Sequence, residues 1–369
     1  MIRRNSCYFC TSAFQLFPII ALASERRSSS DLYIDPQFDG AAYFANRIRE
    51  CGIFDNVEVI KSQSIYQKYM STGPGLINHL QIGNTYLHVS DIAKSILLDG
   101  VEYDNLFLSS KAYLPRMVFL YFIKMKKKFS TYYFDDGAGT YENNRAYQIK
   151  RNDRILRKML FGDKAVETGF DRYVFSPLLF KQMNTDAVAR PINRVWENES
   201  GRTLMNEIFD LSCTPNIKEK MIILDQPKEE LFNNDDIKKL DSIYSRFVKT
   251  IGFDEAIVKK HPRSSAEDFK EIRYIEGIGI PFELYCLNID MNKKILISHS
   301  STAVATPKIL FDQEPTVIVL TKLIDPITGE KDLFEEFFCA VKNTYRNKEK
   351  FIIPSSMDEL DEICSILQA

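Results

Sequence analysis

Three polar clusters interrupt apolar runs in this chain, and each has residue types that could do chemistry. The first is Asp135, Asp136 and Gly137, which end the aromatic run "TYYF". Adjacent carboxylates repel, so at the rim of a cleft one is partly desolvated beside the other, which raises a pKa and yields a usable base. Aspartate and glycine also populate turns for local reasons, because Asp bonds to the backbone and Gly accepts positive φ. Both readings stay open.

The second cluster is "KKHPRSS", with Lys259 and Lys260 ahead of His261, Pro262 and Arg263. Proline restricts the residue before it to extended backbone, so a strand ends at His261 and its imidazole meets whatever lies beyond. One of four histidines in the chain, flanked by Lys and Arg, suits an anionic ligand such as a phosphate. The alternative is a surface turn with solvated charges. The third cluster is "ILISHSSTAVATPKILF", read as a buried strand at 295–297, a turn through Ser298, His299, Ser300, Ser301 and Thr302, and a helix at 303–311, irregular at Pro307. Hydroxyls ahead of a helix cap it, and the same free N–H groups can cradle a phosphate.

The elements that must position these clusters alternate. "SCYFC", "SDLYID", "NVEVI", "YDNLFLSS" and "TYYF" read as strands. Between them lie helical patterns, "SAFQLFPIIALASE" (delayed or bent by Pro18), "AAYFANRIREC" closed by Gly52, and a run from Lys111. After the breaker-rich "ENESGRT" and "SCTPNIKEK" a second alternating set opens with "MIILDQP". Its best-marked helix starts at Asp235 and Asp236, lays Ile237, Leu240, Ile243, Tyr244, Phe247, Val248 and Ile251 on one face, and stops at Gly252. "EAIVKKHPRS", "FELYCLN", "KKILISHSS" and "TVIVLTK" continue as strands or short elements, and the tail from about Glu330 is helical. The expected fold is α/β, with two Rossmann-like parallel-sheet domains, 1–215 and 216–369, facing a central cleft bordered by strand carboxyl ends.

At 369 residues the chain suits two cores rather than one. Its net charge of −2 argues against a nucleic-acid partner. Seven cysteines without paired spacing point to a reducing compartment, and Cys7 and Cys10 lie inside a strand with no second ligand pair, which disfavours zinc or redox work. "MIRRNSCYFC" lacks the apolar core of a secretory signal. "AYLPRMVFLYFIKMKKK" holds Pro115 and Arg116 and is too short to span a bilayer. It reads as a core helix with a solvated basic end at 126–128, with membrane contact the lesser alternative. His79 and His88 read as structural, and "TGPG" and "ITGE" as turns. No dinucleotide, P-loop or nucleophile-elbow motif is present.

In this order and spacing, "YFDDG" at 133–137, "HPR" at 261–263 and "SSTA" at 300–303 resemble bacterial sialyltransferases. With "CYFCTSAFQL", "ILDQP" at 223–227 and "PFELY" at 281–285, the chain is most similar to glycosyltransferase family 52, from the first strand to about residue 320. The resemblance implies a GT-B architecture and inverting transfer of sialic acid from CMP-sialic acid to a terminal hydroxyl, usually of galactose, on lipooligosaccharide or capsule, with no metal required. His261 would assist phosphate departure. Ser300 and Ser301 would hold the phosphate, with Thr302 a lesser candidate, Pro262 would fix the turn, and Arg263, Glu283 and Gly137 would line the donor site. The base would be Asp135 first, Asp136 second and Asp225 third, because the acid that family 52 places after the first strand of the second domain falls on Lys228, with Asp225 and Glu229 as neighbours. The expected partners are a nucleotide-sugar donor and a glycan acceptor, in the cytoplasm. A peripheral contact with the inner membrane and a homodimer stay open. Three alternatives also remain: a UDP-sugar hexosyltransferase, a metal-dependent hydrolase using Asp135, Asp136, His261 and His299, and a noncatalytic glycan-binding or complex-assembly member.

Overall fold

The apolar runs become parallel strands. A computed structural model describes residues 2–69, 85–109, 112–141, 149–184, 187–210, 217–261, 264, 272–275, 280–327 and 331–368. Pro262, Arg263, His79, "TGPG" and the last three residues of "ITGE" lie outside the described residues. The chain divides into two compact units, Met1–Phe209 and Asp210–Ala369.

The first unit holds β1 (Ile2–Cys10), β2 (Ser30–Ile34), β3 (Asn56–Val59), β4 (Val101–Leu108), β5 (Ser130–Phe134), β6 (Arg172–Val174) and β7 (Ala189–Pro191). They form one sheet in the order β3-β2-β1-β4-β5-β6-β7, and every pairing is parallel. The inner strands are buried on both faces by helices, which is why β2 is buried at every position and why strand patterns here are continuous rather than alternating. Register sets Cys7 opposite Asp31 on β2 and Leu106 on β4, and Leu108 opposite Tyr133 on β5. Cys7 and Cys10 are buried free thiols in β1, and burial pushes both pKa values up.

The second unit holds β8 (Met221–Leu224), β9 (Ala256–Lys259), β10 (Arg273–Tyr274), β11 (Ile295–Ser298), β12 (Thr316–Val319) and β13 (Phe351–Ile352), again all parallel, in the order β10-β9-β8-β11-β12-β13. Both sheets are doubly wound. The chain leaves the middle in one direction and returns to build the other side, so strand order reverses between β1 and β4 in one unit and between β8 and β11 in the other. These are two parallel-sheet α/β units, the kind from which a GT-B chain is assembled.

Several elements differ from the sequence reading. "FELYCLN" is a helix, Phe282–Asn288, buried at six successive positions; a helix covered on all sides has no polar stripe to reveal its period. "ENESGRT", near the boundary between the two units, leads into the helix Glu199–Phe209. Gly201 is required there, because a Cβ would lie 1.9 Å from the Val195 carbonyl oxygen. The short edge strands β7, β10 and β13 carry too few residues to show a pattern. At 302–311 a 3-10 turn, Thr302–Ala305, runs into the helix Thr306–Phe311, with Pro307 in the first turn where its missing N–H costs nothing.

The greasy run at 112–128 is the helix Tyr113–Lys124, with Leu114, Met117, Val118, Leu120 and Phe122 buried and Lys127 paired with Glu102 at 2.7 Å. Among the described residues no helix is long and apolar enough to cross a membrane. The helix Asn234–Ile251 has its expected face, and Asn233 caps it by accepting from the Asp235 and Asp236 N–H groups at 3.0 Å each. Replacing Asn233 by Ala removes that cap, and the expected loss is about 1 kcal/mol, read as a lower urea midpoint by circular dichroism.

Candidate functional site

In the second unit, three distant segments meet at one strand edge. β8 and β11 pair as far as Ile223 and Ile297; beyond that, the Ser298 hydroxyl donates to the Leu224 carbonyl at 2.7 Å. Asp225 and Gln226 leave β8, and Ser300 leaves β11. The Ser300 N–H and hydroxyl both donate to the Gln226 side-chain oxygen, at 3.1 and 2.7 Å. Ser301 N–H donates to the Ser298 hydroxyl at 3.2 Å, which turns the chain into Thr302–Ala305. Ser300 is buried, while Ser301 and Thr302 are half-buried and keep hydroxyls nearer solvent.

The histidine turn joins from the neighbouring strand. Leu224 on β8 lies opposite Lys259 on β9, and Asp225 N–H donates to the Lys259 carbonyl at 3.0 Å. Ser264 N–H donates to the His261 carbonyl at 3.0 Å, and its hydroxyl donates to Asp225 Oδ2 at 3.2 Å. His261, half-buried, therefore stands one turn from Asp225. Asp225 is buried, with Lys228 Nζ at 3.9 Å from its Oδ1; the same ammonium bonds Asp241 at 2.5 Å. Lys228 is thus an internal counter-charge to Asp225, while Glu229 is exposed on the short helix Lys228–Leu231.

Glu283 lies buried in the first turn of Phe282–Asn288 and accepts from the Thr306 hydroxyl at 3.4 Å. Burial raises its pKa and lowers that of Lys259, and the opposite charge of each partly offsets the other's shift. That coupling brings Glu283 to the β9 end. His299 sits deep in the core: its ring nitrogen Nε2 pairs with the Ile324 carbonyl at 2.7 Å, its N–H donates to the Tyr244 hydroxyl at 3.0 Å, and its ring meets Phe232 edge-on. Among the described residues no cluster of three His, Cys, Asp or Glu gathers that could hold a metal.

In the first unit the two acids after β5 have different lives. Asp135 is buried, and its oxygens accept from the Tyr141 hydroxyl and from the Phe175 and Gly137 N–H groups, the last two at 3.2 Å. It locks the β5 end to the chain beyond β6. Burial pushes its pKa up to about 7, against the pull of those three donors. Asp136 is half-buried and accepts from Gln15 Nε2 at 2.5 Å, while its N–H donates to the Thr140 hydroxyl at 2.7 Å. Gly137 turns the chain with φ +82°, a conformation that L side chains rarely adopt, into the short helix Ala138–Tyr141.

Two site partners escaped the sequence reading. Gln226 lay inside the quoted "ILDQP" and Gln15 inside "CYFCTSAFQL", but neutral amides carry no charge pattern and only a folded strand edge shows what they bridge. Gln15 also accepts from Thr11 N–H at 2.6 Å, so one amide ties the end of β1 to the end of β5.

No protein-family model matches the chain, and no curated protein matches it in sequence. Solved structures resembling it include CalG4, the calicheamicin glycosyltransferase, at 10% identity over 100% of this chain and 94% of that one, with a TM-score of 0.46. A UDP-N-acetylglucosamine 2-epimerase resembles it at 11% identity over 98% and 94%, TM-score 0.47. An Os79 variant from O. sativa in complex with UDP does so at 11% identity over 98% and 100%, TM-score 0.45. Likenesses this weak carry nothing about substrate or site.

The raised pKa of Asp135 has a signed consequence. A carboxyl that ionises near 7 when folded and near ~3.9 when unfolded favours the fold fully at low pH, and that contribution is lost as pH rises through about 7. Measured against Asp135→Asn, the wild type is expected to lose relative unfolding free energy between about pH 4 and 7, with a slope of at most about 1.4 kcal/mol for each step of one in pH, and to level off above. Carbon-13 NMR of the Asp135 carboxyl checks the same titration directly.

Proposed function

We propose that this chain is an inverting glycosyltransferase that moves sialic acid from CMP-sialic acid to a terminal sugar hydroxyl of a cell-surface glycan, with galactose as the first candidate. The observation that carries the reading is the convergence at the second unit's switch point. Asp225 and Gln226, the His261 turn and Ser300 come from segments far apart in sequence, yet are linked by hydrogen bonds at the strand ends where a doubly wound sheet takes its ligand.

The chemistry asks for two things. Bond breaking at the tertiary anomeric carbon runs ahead of attack, so negative charge grows on the departing phosphate and must be met by donors. His261 supplies a proton or hydrogen bond there, with the Ser301 and Thr302 hydroxyls beside it and Ser300 and Gln226 holding the loop in shape. Pro262 and Arg263 belong to the same proposed role by position. The acceptor hydroxyl must lose its proton to a carboxylate. Between the two acids after β5, Asp136 is the first candidate, because it is half-buried and nearer solvent, whereas Asp135 is buried with its oxygens taken up by structural donors. Asp225, neutralised by Lys228 and bonded to Ser264, acts as a positioning residue for the histidine turn.

Incubating the chain with CMP-sialic acid and lactose should give one added sialyl residue by mass. His261→Ala should lower kcat by about 10²–10⁴-fold while leaving the thermal midpoint in place. Calorimetric titration should favour CMP over UDP. Tighter binding of UDP would move the reading to a hexosyltransferase, and transfer at wild-type rate by His261→Ala would remove the histidine from the mechanism.

A further inference from the structure

Arg116 stands in the first turn of Tyr113–Lys124, a helix whose other inner residues are apolar, and this helix begins just after β4, the strand at the first unit's switch point. Its guanidinium is half-buried and has no hydrogen bond or ion pair among the described residues. Its strongest electrostatic neighbours are Arg157, Tyr86, Asp153 and Tyr133. Arg157 is buried on the packed helix Arg151–Phe161; its Nε donates to the Tyr86 hydroxyl at 2.8 Å and its Nη2 to Asp153, while Nη1 makes no hydrogen bond among the described residues. Tyr133, at the end of β5, feels three guanidinium groups: Arg116, Arg157 and Arg172. Arg172 is fully buried and donates to the Thr140 carbonyl at 3.1 Å and the Asn184 side chain at 3.4 Å.

Among the described residues, the groups that act most strongly on Arg116 and Tyr133 are the guanidinium groups of this cluster and the Asp153 carboxylate, which Arg157 already holds. Burial, and then the like charge of Arg157, keeps the Arg116 guanidinium below its usual pKa. A second polar group lacks a partner at the same strand end: the Ser109 hydroxyl, buried directly after β4, is unbonded among the described residues. An unpaired guanidinium beside another is costly unless an anion joins them. Its planar fork matches a carboxylate or phosphate.

We propose that Arg116, with Arg157 and Tyr133, forms an oxyanion site at the carboxyl edge of the first sheet, and that the acceptor is a saccharide bearing a carboxylate or a phosphate. The inference rests on the glycosyltransferase reading for its saccharide. Asp136 follows β5, the strand beside β4, so an acceptor anchored by its anion here would bring a hydroxyl toward the proposed base.

The test titrates the full chain by calorimetry, without donor, against methyl galactoside, its 6-phosphate, methyl galacturonate and inorganic phosphate. The wild type should bind the two anionic sugars at least about tenfold more tightly than the neutral one, and more tightly than inorganic phosphate. In Arg116→Gln the preference should fall to about one, and Arg116→Lys should restore part of it; thermal midpoints report folding. Equal binding of charged and neutral sugars by the wild type, or a preference that survives Arg116→Gln, overturns the inference. Inorganic phosphate binding as tightly as the phosphosugar overturns the saccharide as its occupant. Because no donor is present, a chain that discriminates sugars this way yet transfers no sialic acid refutes the proposed donor and leaves this site standing.

Discussion

The hydrogen bond from the Ser298 hydroxyl to the Leu224 carbonyl sets the geometry of the strand edge in the second unit. The β8–β11 ladder ends one residue earlier, at the place where strand order reverses. Beyond that point the two chains must diverge, one toward each face of the sheet, and backbone groups that paired in the ladder need other partners. A side-chain hydroxyl takes over the last carbonyl, then accepts from Ser301 N–H and bends the chain into the serine turn. Gln226 repeats the device from the opposite strand by receiving both donors of Ser300. The polar residues at this edge therefore serve the fold first. In the proposed reading, the Ser301 and Thr302 hydroxyls are left to meet the donor phosphate, because Ser298 and Ser300 are already used by the fold.

Charge is handled by the same division of labour. Asp225 is buried beside Lys228, whose ammonium is shared between Asp241 at 2.5 Å and Asp225 at 3.9 Å, so losing the lysine would leave a buried carboxylate short of its counter-charge. In the first unit Asp135 is committed to the fold by three donors, which leaves Asp136 nearer to solvent. Burial raises the Asp135 pKa even against the pull of those three donors, and the like charge of Asp136 adds to the rise.

The strand and helix alternation, the two-domain size and the places where polar clusters follow apolar runs were all legible in the residues. Parallel strands buried on both faces write themselves as unbroken apolar runs, such as "MIIL" and "ILIS". The helix at Asn234–Ile251 was equally legible, since one solvated face keeps its period visible. "FELYCLN" was not, because a fully covered helix carries no polar stripe, and neither were β7 and β13, whose pairing comes from their neighbours rather than from their own composition.

What the sequence determined by itself, then, was the kind of group available: two acids behind a strand, a histidine before a proline, hydroxyls ahead of a helix. Which of these groups is spent on the fold was decided only by the tertiary structure. Whether a carboxylate is buried among three N–H and O–H donors or stays nearer solvent, and whether an arginine in an apolar run finds a counter-ion, depends on segments brought together from far along the chain. Hydrogen bonds and charge pairs act over a few ångströms in space, and no spacing along the chain encodes that distance.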